Sequence, residues 1–414
     1  MGRRDINGHR QSTPQGDCGV NPIAISAYTL TCALGTGMTA VRDSIAANRG
    51  GLNNRPWPDS NVTTWLGRVS ELDTSPAPLP TAYDSRNNRL AKLALQQDDF
   101  QLRVSEAIER YGAHRCAVML GTSTSSIGRT ETSYQRLEQD DHFNPDDRYA
   151  SLHNPHSTGA FVAEQLGIKG PAVTISTACS SSARAFASAA RWLECGIADA
   201  VVVGGVDTLC LSVICGFNSL QLTSTEPCRP FDKNRAGLSL GEAGGFALVT
   251  REMLSRDDNA VALLGYGESL DAHHMSSAHP EGLGAKLAMQ AAVQRANIAW
   301  NDIHYLNLHG TGTRSNDAIE GLACNALLPE TTLCSSTKSW TGHTLGAAGI
   351  TEAVISMDAL LTGLVPGTLH TQDPDPDTML NILMENRASN PQTIMSNSFG
   401  FGGNNCCLVF GKAL

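Results

Sequence analysis

The segment Ser176-Thr177-Ala178-Cys179-Ser180-Ser181-Ser182 follows a short apolar run, Ala172–Ile175, and precedes a helical pattern over Ser181–Cys195. A cysteine at such a strand-to-helix turn feels the positive end of the helix dipole and free backbone N–H groups. An interaction of about 1–2 kcal/mol would lower its pKa by roughly one unit and raise its thiolate fraction about tenfold. Cys179 is therefore a candidate nucleophile; the alternative is a small buried apolar residue, the reading that suits the other eleven cysteines.

Two histidines stand in glycine-rich turns. One is in Leu308-His309-Gly310-Thr311-Gly312-Thr313, the other in Lys338-Ser339-Trp340-Thr341-Gly342-His343-Thr344. Parallel sheets gather ligand-binding groups at their strand ends, so His309 can meet Cys179 although 130 positions separate them. Either histidine alone reads more readily as structural. With Cys179 and with Lys338 five positions before His343, the balance shifts to a catalytic set. Asp317 and Glu320 form a capping-box-like pattern that supports the His309 loop, and Glu352 is a candidate partner for Lys338. The loop Asn397-Ser398-Phe399-Gly400-Phe401-Gly402-Gly403-Asn404 leads into a strand rather than a helix. It suits delivery of backbone N–H groups to an oxyanion better than phosphate binding. No HExxH spacing occurs, and no metal is expected.

The elements that must position these groups alternate between short apolar strands and helices. Strands are expected at Ile23–Tyr28, Cys116–Leu120, Ala172–Ile175 and Ala200–Val203, and again at Phe246–Val249, Val261–Tyr266, Tyr305–Leu308, Leu333–Ser335, Ile394–Ser396 and Asn405–Phe410. Helices are expected over Met38–Asn48, Arg86–Tyr111, Ser157–Leu166, Ser181–Cys195, Gly284–Ala296, Asp317–Leu327 and Ala347–Thr362. This pattern implies α/β architecture with covered parallel sheet. The second part repeats the first with no Pro/Ser/Gly linker near residue 255, so the halves read as an internal duplication. Residues 50–80, with five prolines, read as a loop region.

Composition narrows the function classes. Thirty Lys+Arg against forty Asp+Glu leave a net charge of −10, which argues against nucleic-acid binding. Twelve scattered cysteines without a CxxC pair point to free thiols in a reducing cytoplasm. Residues 22–41 carry no charge and follow Arg3 and Arg4, but Ser, Thr, Tyr and Gly interrupt them. Neither a signal peptide nor a membrane span is expected. Residues 1–20 show no periodicity and read as a leader or a non-native extension.

The motifs STACSSS, NLHGTGTRSND, SSTKSWTGHTLGAAG and NSFGFGGNN, in this order and joined by GGVDTL and PCRPFDKNRAGLSLGEAGG, resemble the elongating β-ketoacyl-acyl carrier protein synthases of the thiolase-like superfamily. The likeness runs from about Asn21 to the C-terminus. It implies a five-layered αβαβα sandwich of two pseudo-duplicated halves, here 21–255 with the nucleophile and 256–414 with the two histidines and the lysine. It further implies acyl transfer from an acyl carrier protein to Cys179, with no cofactor beyond the carrier's phosphopantetheine. Decarboxylation of malonyl-carrier protein would be aided by His309 and His343, organised by Lys338 and Glu352. The oxyanion hole would comprise the backbone N–H groups of Cys179 and Phe401. Phe401 would also be the gate, with Phe217 and Thr130 at the acyl pocket.

The chain departs from the family's RDG at Arg235-Ala236-Gly237. The stretch Ser-Leu-Gln-Leu-Thr-Ser after Gly216-Phe217 resembles stand-alone ketosynthases of bacterial aryl-polyene or related type II polyketide clusters. Such proteins work as homodimers or as heterodimers with a ketosynthase-like subunit. A thiolase would need a second catalytic cysteine, for which Cys406 and Cys407 are poorly placed, and an initiating ketosynthase would carry Asn in place of His343. A chain-length-factor-type partner subunit would lack Cys179; a non-enzymatic scaffold would not be acylated. An acidic carrier calls for a basic rim. Arg86, Arg89 and Lys92 share a helix face and Arg129 is comparable, although a solvated face or ion pairing is the usual outcome for such groups.

Overall fold

Hydrogen bonding runs across ten principal strands in a computed structural model that describes residues 22–74, 79–254 and 260–412. The strands are β1 Ile23–Cys32, β2 Cys116–Gly121, β3 Ala172–Ile175, β4 Ala200–Asp207, β5 Ala243–Thr250, β6 Val261–Leu270, β7 Tyr305–Asn307, β8 Leu333–Ser335, β9 Thr393–Gly400 and β10 Asn404–Lys412. Outward from the centre, the first half runs β1-β5-β4-β2-β3 and the second β6-β10-β9-β7-β8. In each half the two inner pairings are antiparallel and the two outer ones parallel. The halves therefore share one topology, and β1 joins them by pairing Ile23 with Leu263.

Helices cover both faces of each half. We number them α1 Met38–Ala46, α2 Arg86–Leu95, α3 Phe100–Tyr111, α4 Ile127–Asp140, α5 Ser157–Leu166, α6 Ser181–Glu194, α7 Leu211–Ser219, α8 Leu283–Ala296, α9 Arg314–Asn325 and α10 Ala348–Thr362. Helices α6 and α10 pack against each other between the halves, and Phe186, Ile350 and Val354 anchor the central core there. On the outer faces, α2, α3 and α5 cover the first half around Phe100 and Phe161, and α8 covers the second around Met289. The result is the five-layered αβαβα arrangement. By length and composition the segment Leu345–Thr362 is apolar enough to cross a bilayer, but 89% of it is buried inside the protein, as a central-layer helix requires.

Most expected elements occur with boundaries shifted by a few residues. The expected single helix Arg86–Tyr111 is two, because Asp98 and Asp99 adopt positive φ. The break delivers the Asp98 carboxylate to the Met38 N–H at the start of α1 (3.0 Å) and to the Thr29 hydroxyl (2.7 Å). Helix α9 begins at Arg314, earlier than Asp317. Helices α4 and α7 were not foreseen; α4 is strongly polar and α7 interrupts a loop-like stretch. The boundary near residue 255 and the segment 1–20 lie outside the described residues.

Candidate active site

Cys179 lies on the turn between β3 and α6, two residues before the helix. The turn is tight: Ala178 has φ +52°, a conformation that costs a non-glycine residue free energy and needs local support. The serines supply it. Thr177 N–H donates to Ser181 Oγ (2.9 Å), Ser181 Oγ donates to Ala178 O (2.6 Å), and Ser180 Oγ donates to Thr177 O (2.9 Å).

His309 leaves β7 in a loop whose His309 and Gly310 N–H groups both donate to the Glu320 carboxylate at 2.8 Å. Asp317 accepts from Phe231 N (2.8 Å) and Gly312 N (3.2 Å). Neither carboxylate caps its own helix, since α9 has no side-chain cap. Both instead reach back and fix the loop. Lys338 is 1% exposed. Its Nζ lies 3.2 Å from His309 Nδ1 and also contacts His309 O and Glu352 Oε1. His343 Nε2 is 3.0 Å from Cys179 Sγ, and the two imidazole rings stand 5.5 Å apart and nearly perpendicular.

The partners of the Nδ1 atoms determine both tautomers. An ammonium and a backbone amide can only donate, so His309 Nδ1 accepts from Lys338 and His343 Nδ1 accepts from Leu345 N–H (3.2 Å). Burial and the Lys338 cation hold both imidazoles well below their usual pKa, so both are neutral at physiological pH. A neutral imidazole with an accepting Nδ1 carries its proton on Nε2. Each histidine is therefore a hydrogen-bond donor through Nε2.

The thiol corrects the expectation from the helix dipole. Burial pushes the Cys179 pKa up to about 11 against the lowering influence of Lys338 and of the N–H groups of Phe401 and Cys179 itself. Desolvation outweighs the dipole because Cys179 is 6% exposed and lies outside the helix's first turn. Burial also raises Glu320 and Glu352 to about 7.

A cavity of about 620 Å³ connects these groups to the surface. Cys179, His309, His343, Phe217 and Phe401 line it, with Phe217 and Phe401 stacked at 6.0 Å. Ala236, the departure from the family's RDG, is on its wall, whereas Arg235 is buried beside Asp375 (2.6 Å). Thr130 is not in this cavity. It lines a second one of about 290 Å³, where its hydroxyl meets His153 Nδ1 at 2.8 Å. The sequence reading overlooked further residues lining the main cavity: Thr311, Thr313, Arg314, Ser276 and Ser277. The available signal was the polar stretch Asp271–Ser277 just past the end of β6.

Three of the four basic-rim candidates are spoken for. Arg86 pairs with Glu242 (2.6 Å) and Asp73 (2.9 Å), Arg89 with Asp84 (2.7 Å), and Arg129 with Asp147 (2.5 Å). Cys406 and Cys407 are fully buried on β10. Among the described residues, the one Cys/His/carboxylate group compact enough to hold a metal ion is Cys179, His309 and His343 themselves, with ligand atoms within 4.8 Å of one another. His153 and His156 stand at HxxH spacing, which the sequence reading passed over, but His153 bonds Thr130 and Asp147 O, and His156 bonds Thr174.

Residues 20–254 match the model of the β-ketoacyl synthase N-terminal domain, and residues 261–372 that of the C-terminal domain. The chain belongs to the β-ketoacyl synthase family. It is 34% identical over 334 residues to a 3-oxoacyl-[acyl-carrier-protein] synthase 2 of Vibrio harveyi, covering 76% of this chain and 79% of the relative. A homologue of the same name from Staphylococcus aureus is 31% identical over 388 residues, covering 84% of this chain and 94% of its own length. Among solved structures, a ketosynthase (ApeO) in complex with its chain length factor (ApeC) from Xenorhabdus doucetiae superposes with TM-score 0.87 at 39% identity, covering 97% of this chain and all of that one. A β-ketoacyl synthase from Burkholderia phymatum gives TM-score 0.84 at 26% identity, covering 95% and 100% of the two chains. As a β-ketoacyl synthase the protein is an acyltransferase.

Proposed function

We propose that the protein condenses an acyl group carried on Cys179 with malonyl-acyl carrier protein, releasing CO2 and a 3-oxoacyl chain two carbons longer. The observation that carries this reading is the pair of Nε2–H donors converging on the space beside Cys179 Sγ. In the first half-reaction, Cys179 exchanges with the incoming thioester: its S–H proton leaves with the carrier's thiol, and the acyl group forms a thioester with Sγ. The malonyl thioester then binds with its carbonyl oxygen toward His309 and His343. Loss of CO2 leaves the electron pair as an enolate whose oxygen the two donors stabilise. The enolate carbon attacks the Cys179 thioester, and the resulting oxyanion receives the N–H groups of Cys179 and Phe401. Collapse breaks the bond to Sγ, and the departing thiolate takes up one proton from solvent, the proton that the overall condensation consumes. Each such donor contributes about 3–4 kcal/mol at the transition state.

Lys338 is the positioning group that selects the His309 tautomer, and Glu352 balances its charge. Asp317 and Glu320 hold the loop. Phe401, stacked on Phe217, gates the main cavity, and the second cavity beside Thr130 takes the distal acyl chain. The reading needs no metal and no cofactor beyond the carrier's phosphopantetheine. It places the protein in the cytoplasm, in keeping with the described cysteines all being free. The likeness to a ketosynthase paired with a chain length factor favours polyketide or polyene-type elongation, with a ketosynthase-like subunit as partner. The edge strand β3 suits that contact, because it leaves backbone groups unpaired and exposes Val173.

Intact-mass analysis of wild type and Cys179→Ala after exposure to a panel of acyl-carrier proteins, followed by malonyl-carrier protein, tests the reading. Acyl mass on wild type alone, then extended product, is expected. A wild type that no donor acylates would overturn the proposal in favour of a partner subunit or scaffold.

A further inference from the structure

Asp207 ends β4 with no solvent exposure and is in no ion pair among the described residues. Donors from two segments surround its carboxylate instead. From the turn after β2 it accepts Thr122 Oγ1 (2.7 Å), Ser123 N (3.0 Å), Thr124 N (2.7 Å) and Thr124 Oγ1 (2.5 Å). From the turn after His343 it accepts Ala347 N at 3.0 Å. The first segment is a wall of the second cavity. The other includes Leu345, whose N–H fixes the His343 tautomer. Between them the packing leaves no slack: a Cβ on Gly346 would lie 2.6 Å from Ser123 N and 2.8 Å from Asp207 Oδ2.

A carboxylate is the side chain this junction requires, since both of its oxygens accept. An asparagine can satisfy the Ala347 side with its oxygen, but its NH2 then faces the Thr124 N–H, donor against donor. The cavity wall would shift while the His343 turn kept its partner. The seam transmits displacement because packed turns with no free volume move together.

We infer that Asp207 is a positioning residue that clamps the wall of the second cavity to the His343 turn, so that the acyl chain seated against that wall sets how well His343 is placed for decarboxylation. The inference rests on the condensing role proposed above. It assigns chain-length selectivity to a residue that touches neither Cys179 nor the reacting atoms.

The test uses the full-length protein with acyl groups of graded length loaded on Cys179, verified by intact mass. It then measures single-turnover CO2 release from malonyl-carrier protein. In the wild type, release depends on the length of the seated chain. In Asp207→Asn the contrast between best and worst chains falls at least about fivefold, while loading of Cys179 by a short chain stays within about twofold. Thr124→Val, which removes one donor on the cavity side and keeps the shape, lowers the same contrast and carries the test where Asp207→Asn fails to fold. An unchanged length contrast in Asp207→Asn, or in Thr124→Val where Asp207→Asn fails to fold, would overturn the inference. So would CO2 release in the wild type that ignores chain length. Absence of acyl mass on wild-type Cys179 would instead bring down the condensing role itself.

Discussion

Replacing Lys338 by methionine separates the chemistry of this site from its stability. Methionine fills similar volume but neither donates nor carries charge. In the native protein, the ammonium holds His309 Nδ1 as an acceptor at 3.2 Å and so keeps the proton on Nε2. Without it the two tautomers compete, and the enolate loses a prepositioned donor. Removing one such donor lowers the rate about 10²–10³-fold, or roughly 3–4 kcal/mol. That loss should fall on CO2 release from malonyl-carrier protein. Acylation of Cys179 loses the lowering influence of Lys338 on the thiol but keeps the N–H groups of Cys179 and Phe401, and should fall much less. Stability responds separately, because Glu352 is left in the core without its cation. Breaking a buried pair costs about 3–5 kcal/mol. Glu352 limits this by taking up a proton: burial already raises it to about 7, and loss of the Lys338 cation raises it further. A carboxyl whose pKa is raised on folding favours the native state below its unfolded pKa. That contribution is lost as pH climbs through the folded value. The Lys338→Met protein should therefore approach wild-type stability near pH 5 and fall behind above neutrality. Adding Glu352→Gln should recover stability at pH 8 and leave CO2 release depressed. The assays are single-turnover CO2 release, intact mass for acylation, and urea midpoints at pH 5 and 8. An equal loss of acylation and CO2 release in Lys338→Met, or recovery of CO2 release in the double variant, would refute the tautomer argument.

Three further outcomes follow from the same geometry. With its thiol raised to about 11, Cys179 is about one part in 10⁴ thiolate at pH 7, so its alkylation by iodoacetamide should rise about tenfold per pH unit through pH 9. A plateau near pH 8.5 would contradict the dominance of burial. Phe401→Ala keeps the N–H but removes the ring stacked on Phe217, so CO2 release from malonyl-carrier protein without any acyl donor should increase, as measured by headspace CO2. Trp340→Phe leaves Gly367 O without its 2.7 Å donor in a fully packed place and should cost about 1–3 kcal/mol in urea unfolding.

Much of this protein was legible in its sequence for a local reason. Short apolar runs that end in small-residue turns mark buried strands, and a strand's burial is encoded by its own residues. That is why Ala172–Ile175 and Leu333–Ser335 match the expected bounds and why the five strands of each half could be recognised. The residues of the site were equally visible, because Cys179, His309, His343, Lys338 and the Gly400–Gly403 loop stand in distinctive local contexts. The helix break at Gln96–Asp99 was not visible, because its reason is a distant one: Asp98 serves Met38 and Thr29, some sixty positions earlier.

What only the tertiary structure decided is the electrostatic state of those residues. The helix dipole suggested an activated thiol, yet burial in the folded chain raises Cys179, whose Sγ meets His343 across 164 positions. The tautomer of His309 depends on Lys338, 29 positions away, whose approach no spacing reveals. For Arg86, Arg89 and Arg129 the sequence left an acidic partner, a solvated face and ion pairing open, and folding chose pairing by supplying Glu242, Asp84 and Asp147. Asp207 stands in sequence within GGVDTL, past the expected strand Ala200–Val203, and only the packed halves show two turns sharing its carboxylate. Residue types and local pattern set which groups are present and on which elements; charge and proton position depend on neighbours in space, and those are chosen by the fold.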